Sequence, residues 1–155
     1  MVVKINSFRG GQEDPHAMTS VDVSYRSQVN GKWLEHLERI NATLFDRMLA
    51  GRLPEVGRHG AIIRHRHRPV DDRDPSEREL IFGVRNGRAA LYYTDETGAW
   101  YSRGPTPASP DELVYADLEF PAHCEISLIN LAHALAEFFD TQTRPACVSW
   151  QEADF

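Results

Sequence analysis

Two alternating apolar stretches, ELIFGVR and RAALYYT, are separated by a single dipeptide, Asn86-Gly87. A two-residue turn that folds one strand back on the next needs positive φ at both central positions, and Asn-Gly adopts that geometry at least cost. The spacing therefore predicts an antiparallel hairpin at 79–94. DETG then turns the chain into AWYSRG, a third strand. After the proline-rich GPTPASPDE, the stretch LVYADLEF alternates Val114, Ala116, Leu118 and Phe120 with Tyr115, Asp117 and Glu119, which predicts a fourth. The outcome is an antiparallel meander with one apolar face, and that face requires a cover.

Helices supply the cover. Leu128, Leu131, Ala132, Leu135, Phe138 and Phe139 make a broad apolar stripe from near Ser127. That helix is expected to end at Thr143-Arg-Pro, because Pro145 pushes Arg144 into an extended conformation. Upstream, Trp33, Leu37, Ile40, Leu44 and Met48 recur at three and four, with Leu34, Phe45 and Leu49 beside them. This predicts a helix capped by Asn30 and ended by Gly51. MVVKI and TSVDVSYR read as two strands, Val21, Val23 and Tyr25 sharing a face of the second. Residues 51–78 carry mostly charge and breakers around Ala61–Ile63, consistent with a strand over 60–67 or an exposed loop. In ACVSWQ, Ala146, Val148 and Trp150 share one face of a closing strand, with Trp150 under the helices. The expected architecture is α+β: one domain over 1–155, a mostly antiparallel sheet with two helices packed on one face. Trp33, Phe138, Pro145 and Trp150 are its structural residues.

With 155 residues, 41% of them apolar, the chain can bury one core and hardly two. Its 23 acids against 17 Lys plus Arg give a formal net charge of -6. This opposes direct binding of nucleic acid, which requires a basic face. No apolar run approaches a membrane span, so no membrane contact and a cytoplasmic location are expected. Cys124 and Cys147 lack any metal or redox spacing and are expected to be reduced thiols.

Few residues form a catalytic pattern. His65 and His67 would lie on one side of a strand with His59 nearby, a spacing that can offer imidazoles to zinc in a small metal-dependent hydrolase. Arg64, Arg66 and Arg68 crowd the same stretch with positive charge and oppose a cation. His123 and Glu125 in PAHCE reproduce half of the zinc-deaminase signature, but no P-C-x-x-C follows. There is no G-x-S-x-G, P-loop, H-E-x-x-H or dinucleotide fingerprint. No enzyme, metal or cofactor is expected. Acids instead gather at Asp71, Asp72 and Asp74 and at the turn Asp95-Glu96, with Trp100 close in sequence. Aromatics among carboxylates suit a surface that docks a basic protein, and these six residues are the expected contacts.

The closing segment ALAEFFDTQTRPACVSWQE, with ELIFGVRNGRAALYYTDETGAWYSRG and DLEFPAHCEISLINLAHAL before it, resembles the Imm-one immunity-protein family of bacterial polymorphic toxin systems. The likeness covers roughly 78–152, and Gln142 stands where a glycine is common in the family. The resemblance implies an α+β immunity protein that neutralises a cognate toxin domain in a 1:1 complex by occluding its active site. The toxin it implies is commonly a nucleic-acid deaminase acting on cytosine; a nuclease or another toxin is the alternative.

Overall fold

A computed structural model describes residues 20–65, 78–105, 114–115 and 118–153. The hairpin expected at Asn86-Gly87 forms: β4 (Glu79–Arg85) pairs with β5 (Arg88–Asp95), and the turn residues have φ of 52° and 74°. β6 (Gly98–Arg103) follows as expected. β3 (Ala61–His65) resolves the open reading of 60–67 as a strand, antiparallel to both β1 (Ser20–Val29) and β4. The expected MVVKI strand lies outside the described residues.

The long helix expected over 30–51 is not there. Asn30-Gly31 makes the same kind of turn as Asn86-Gly87, with φ of 53° and 78°. It returns the chain as β2 (Lys32–Asn41), paired with β1 along its whole length from Val29–Lys32 to Ser20–Asn41. Only the tail of the predicted helix is helical. α1 (Ala42–Gly51) starts where the Asn41 side chain accepts from Leu44 N at 3.0 Å. The reason is local: once the first turn is set, alternation places Ile40 inward beside Val21. The apolar residues that mimicked a helical stripe are then split between the two faces of a strand. α2 (Leu53–Val56), absent from the expectation, follows with proline in its first turn.

Eight of the described strands form one sheet, ordered β10-β6-β5-β4-β3-β1-β2 with β10 at Ser149–Glu152, and with β9 (Ile126–Ser127) beside β5. One face carries Val21, Val23, Ile63, Leu80, Phe82, Leu91 and Tyr93, all buried against Phe45 and Met48 of α1 and Leu131, Leu135 and Phe138 of α3 (Leu128–Thr141). The α+β expectation holds, with the short α2 added to the two helices. Gly57 shows how tightly α2 sits: a Cβ there would lie 2.7 Å from the Phe82 ring, while its carbonyl accepts from Val84 N at 2.8 Å.

Two further expectations change. The single strand over LVYADLEF is instead a separate small hairpin, β7 (Val114–Tyr115) paired with β8 (Leu118–Glu119). Phe120 then packs with Ala90 and Cys124 in a second cluster, which covers the other face of the sheet at β5. Alternation alone could not reveal that the chain reverses within it. α3 ends at Thr141, slightly ahead of the Thr143-Arg-Pro break expected to stop it. Gln142 takes the left-handed cap at φ 61° and donates its N–H to Phe138 O, a conformation that glycine adopts more readily.

Candidate binding surface

The turn between β5 and β6 gathers three of the predicted contact residues. Asp95 accepts from the Tyr93 hydroxyl at 2.9 Å, Thr97 N at 2.7 Å and Thr97 Oγ1 at 2.6 Å. Burial would raise its pKa, but these donors and Arg78 outweigh burial and hold it below the ordinary 3.8. Glu96 lies 3.8 Å from Arg78, which also donates to the Gln142 carbonyl and so ties the turn to the end of α3. Trp100 is half-buried against Tyr93, and Arg144 covers its ring at 4.1 Å. Asp95 is thus saturated by its own turn, leaving Glu96 as the carboxylate better placed to meet a partner. Asp71, Asp72 and Asp74 lie outside the described residues.

Asp95 supports a pH test. A carboxylate with a depressed folded pKa contributes stability above its unfolded value, and loses it as pH falls through the folded one. Resistance to urea should therefore fall below about pH 4. Asp95→Asn should lose roughly 0.5–1 kcal/mol at pH 7 and show a flatter decline under acid, the figure being small because the site is exposed.

The second surface was not legible as such. β3 pairs with β1 only from Val21 to Tyr25, so the β1–β2 hairpin continues beyond it as two strands. Trp33 (48% exposed) and Leu37 (73% exposed) stand on its outer side. Arg26 lies over the Trp33 ring at 4.7 Å, and the His59 ring meets its edge at 4.9 Å. Trp33 is therefore an outward residue of the sheet and not part of its core. On the side facing the helices, Glu38 accepts from the Tyr25 hydroxyl at 2.8 Å and lies 3.5 Å from Arg52. Burial opposes its charge, yet Tyr25 and Arg52 keep the Glu38 carboxyl below its ordinary range. The signal that could have found this surface was the second Asn-Gly.

The chemical alternatives fall as follows. Among the described residues no group of three His, Cys, Asp or Glu could hold a metal ion. His59 is engaged with Trp33, and His67 lies outside the described residues. His123 sits exposed in a loop at φ 64°. Burial pushes the Cys124 thiol up to about 11, and burial with Glu137 raises Cys147, so neither is a ready nucleophile at neutral pH. No helix among the described residues is long and apolar enough to cross a membrane.

The closing segment is built as a clasp. Glu137 on α3 accepts from Ala146 N at 2.5 Å and Cys147 N at 3.1 Å. The Trp150 indole donates to the Pro145 carbonyl at 2.6 Å, while β10 (Ser149–Glu152) pairs with β6. Trp150 packs part-buried against the core, less enclosed than expected. Residues 44–152 match the model of a family described as immunity protein Imm1. The chain belongs to the Imm1 family. No curated protein matches it. The Imm1 span runs from α1 through the clasp of β10, so the resemblance carried by the closing segment extends further upstream than 78. The β1–β2 hairpin precedes the Imm1 match. Membership gives the protein an immunity role, and with it a cognate toxin as partner.

Proposed function

We propose that this Imm1 protein acts in the cytoplasm, binds without catalysis and in a 1:1 complex a toxin domain that deaminates cytosine in nucleic acid, and occludes its active site. The observation that carries this reading is the charge: -6 on an immunity-family chain. A toxin acting on nucleic acid must present a groove that attracts phosphate, and an acidic inhibitor competes for that groove while being steered to it. Asp71, Asp72 and Asp74, with Glu96 and Trp100, form the docking side in this reading. Asp95 shapes the turn that carries Glu96.

The test is co-expression with the toxic domain encoded beside it, scoring growth and cytosine deamination together. Rescue with deamination abolished is the expected result. Rescue from a toxin that never deaminates would discard the deaminase partner, and a nuclease would then be the next chemistry to assay. Reversing Asp71, Asp72 and Asp74 to Lys should weaken the complex at least about tenfold. Unchanged affinity would remove that docking side.

A further inference from the structure

The two edges of the sheet are built differently. β10 is a four-residue strand, Ser149–Glu152, short enough to offer little backbone to another chain. β2 is a ten-residue strand at the opposite edge, and among the described residues no strand pairs with its outer side. Val29–Lys32 close a two-residue turn and so exchange hydrogen bonds, as does every second pair after them. Residues 33, 35, 37, 39 and 41 therefore turn N–H and C=O to the open edge. Leu37, the most exposed large apolar residue among those described, stands in the middle of this row.

From this edge we infer that β2 pairs with β2 of a second copy of the chain, antiparallel and centred on Leu37, joining two sheets into one. The sequence of the strand selects that register. With Leu37 opposite itself, Glu35 faces Arg39 of the second copy and Arg39 faces its Glu35, so two opposite-charge pairs flank the centre on the outer face. On the inner face His36 faces Glu38, and Leu34 faces Ile40. Arg39 already donates through Nε to Asp22 at 3.3 Å, and its remaining guanidinium donors can serve a second carboxylate. Moving the centre to Glu38 opposes two glutamates. Moving it to His36 sets Leu34 against Glu38 and Lys32 against Ile40. Only the Leu37 centre satisfies charge, apolar contact and the outward hydrogen-bonding row together. Toxin recognition is not needed for this pairing, so its test stands apart from the immunity reading.

Sedimentation equilibrium of the full chain, from low micromolar concentration upward, should show a monomer–dimer equilibrium. Leu37→Lys places two ammonium groups at the centre and should leave a folded monomer, because the side chain it replaces is mostly in water. Glu35→Arg or Arg39→Glu alone should each weaken the dimer roughly tenfold, and the double exchange should restore it to within about threefold. A wild-type chain that stays monomeric throughout overturns the proposal, whether a toxin strand or the residues before Ser20 take the edge. So does a dimer indifferent to both Leu37→Lys and the charge reversals. Should Leu37→Lys fail to fold, the single and double exchanges decide the matter alone.

Discussion

Gly104→Ala is expected to cost at least about 3 kcal/mol of folding stability, enough to leave a small domain largely unfolded on warming. A Cβ at this position would lie 1.7 Å from the Glu125 carbonyl oxygen and 2.8 Å from its carbon, both backbone atoms that cannot rotate away. The approach is so close because Gly104 N donates to the His123 carbonyl at 2.5 Å, pinning the end of β6 to the segment that covers the sheet. That segment brings Cys124, and with it Phe120, over Ala90. Pushing it outward would uncover apolar surface as well as break the bond. Gly51→Ala is the control. Nothing lies within 4 Å of a Cβ there, and the residue ends α1, so alanine should be neutral or stabilise by up to about 1 kcal/mol. Unfolding free energies of the two variants from urea titration should differ by about 3 kcal/mol or more; equal values would mean the 104–125 approach is looser than described.

These two glycines also mark what a sequence can and cannot disclose. Gly87 was readable because the requirement it meets is local: a two-residue turn between alternating strands demands positive φ whatever surrounds it. Gly104 meets a requirement set by a carbonyl about twenty residues further on, and no window around it contains that information. Between these extremes lies Asn30-Gly31, a turn of the readable kind that was outweighed. Trp33, Leu37, Ile40, Leu44 and Met48 keep helical spacing because β2 bears apolar side chains on both faces. A strand usually exposes one polar face, and the departure belongs to an edge with a use for its outer apolar residues. The same misreading put Trp33 on the apolar stripe of a helix, whereas it stands half exposed on the outer face of β2. Its stripe ran into a real helix, so the final residues, Phe45 and Met48, were rightly placed in the core.

The contact residues were legible to a similar, partial degree. Clustered carboxylates at Asp95-Glu96 are visible in the sequence, but whether a carboxylate is free to meet a partner depends on its neighbours in space. Asp95 is satisfied by Tyr93 and Thr97, a pattern that an aspartate two residues before a threonine in a turn can suggest. Glu96 depends on Arg78, which is distant in the chain and is brought there by the pairing of β4 with β5. The immunity assignment was the most legible feature of all. It rests on a closing segment whose residues are specialised for structure: Glu137, Pro145 and Trp150 each close one link of the clasp.

Ser102→Ala should cost about 2–4 kcal/mol, a large effect for the removal of one oxygen atom. Ser102 is fully buried. Its hydroxyl accepts from Leu91 N at 2.9 Å and donates to the Cys124 carbonyl at 2.6 Å. The β5–β6 pairing runs from Asp95–Gly98 to Tyr92–Tyr101, and the next residue along, Leu91, donates its N–H to the serine side chain. One hydroxyl thereby extends the sheet and fastens the covering segment to it. Alanine removes both bonds while leaving a buried N–H and a buried C=O, each of which must then be satisfied by water drawn inward or left unpaired. An exposed hydroxyl gives the comparison: Thr141→Ala removes a bond to the Glu137 carbonyl and those accepted from Thr143 N and Oγ1, but water can replace all three, so it should cost less than about 1 kcal/mol. Amide exchange supplies the local readout. In Ser102→Ala the Leu91 amide should exchange much faster, while amides at the β1–β2 pairing should respond only through the loss of global stability. If Leu91 stayed as protected as its neighbours and the urea midpoint held, the hydroxyl would not be the link between the two layers.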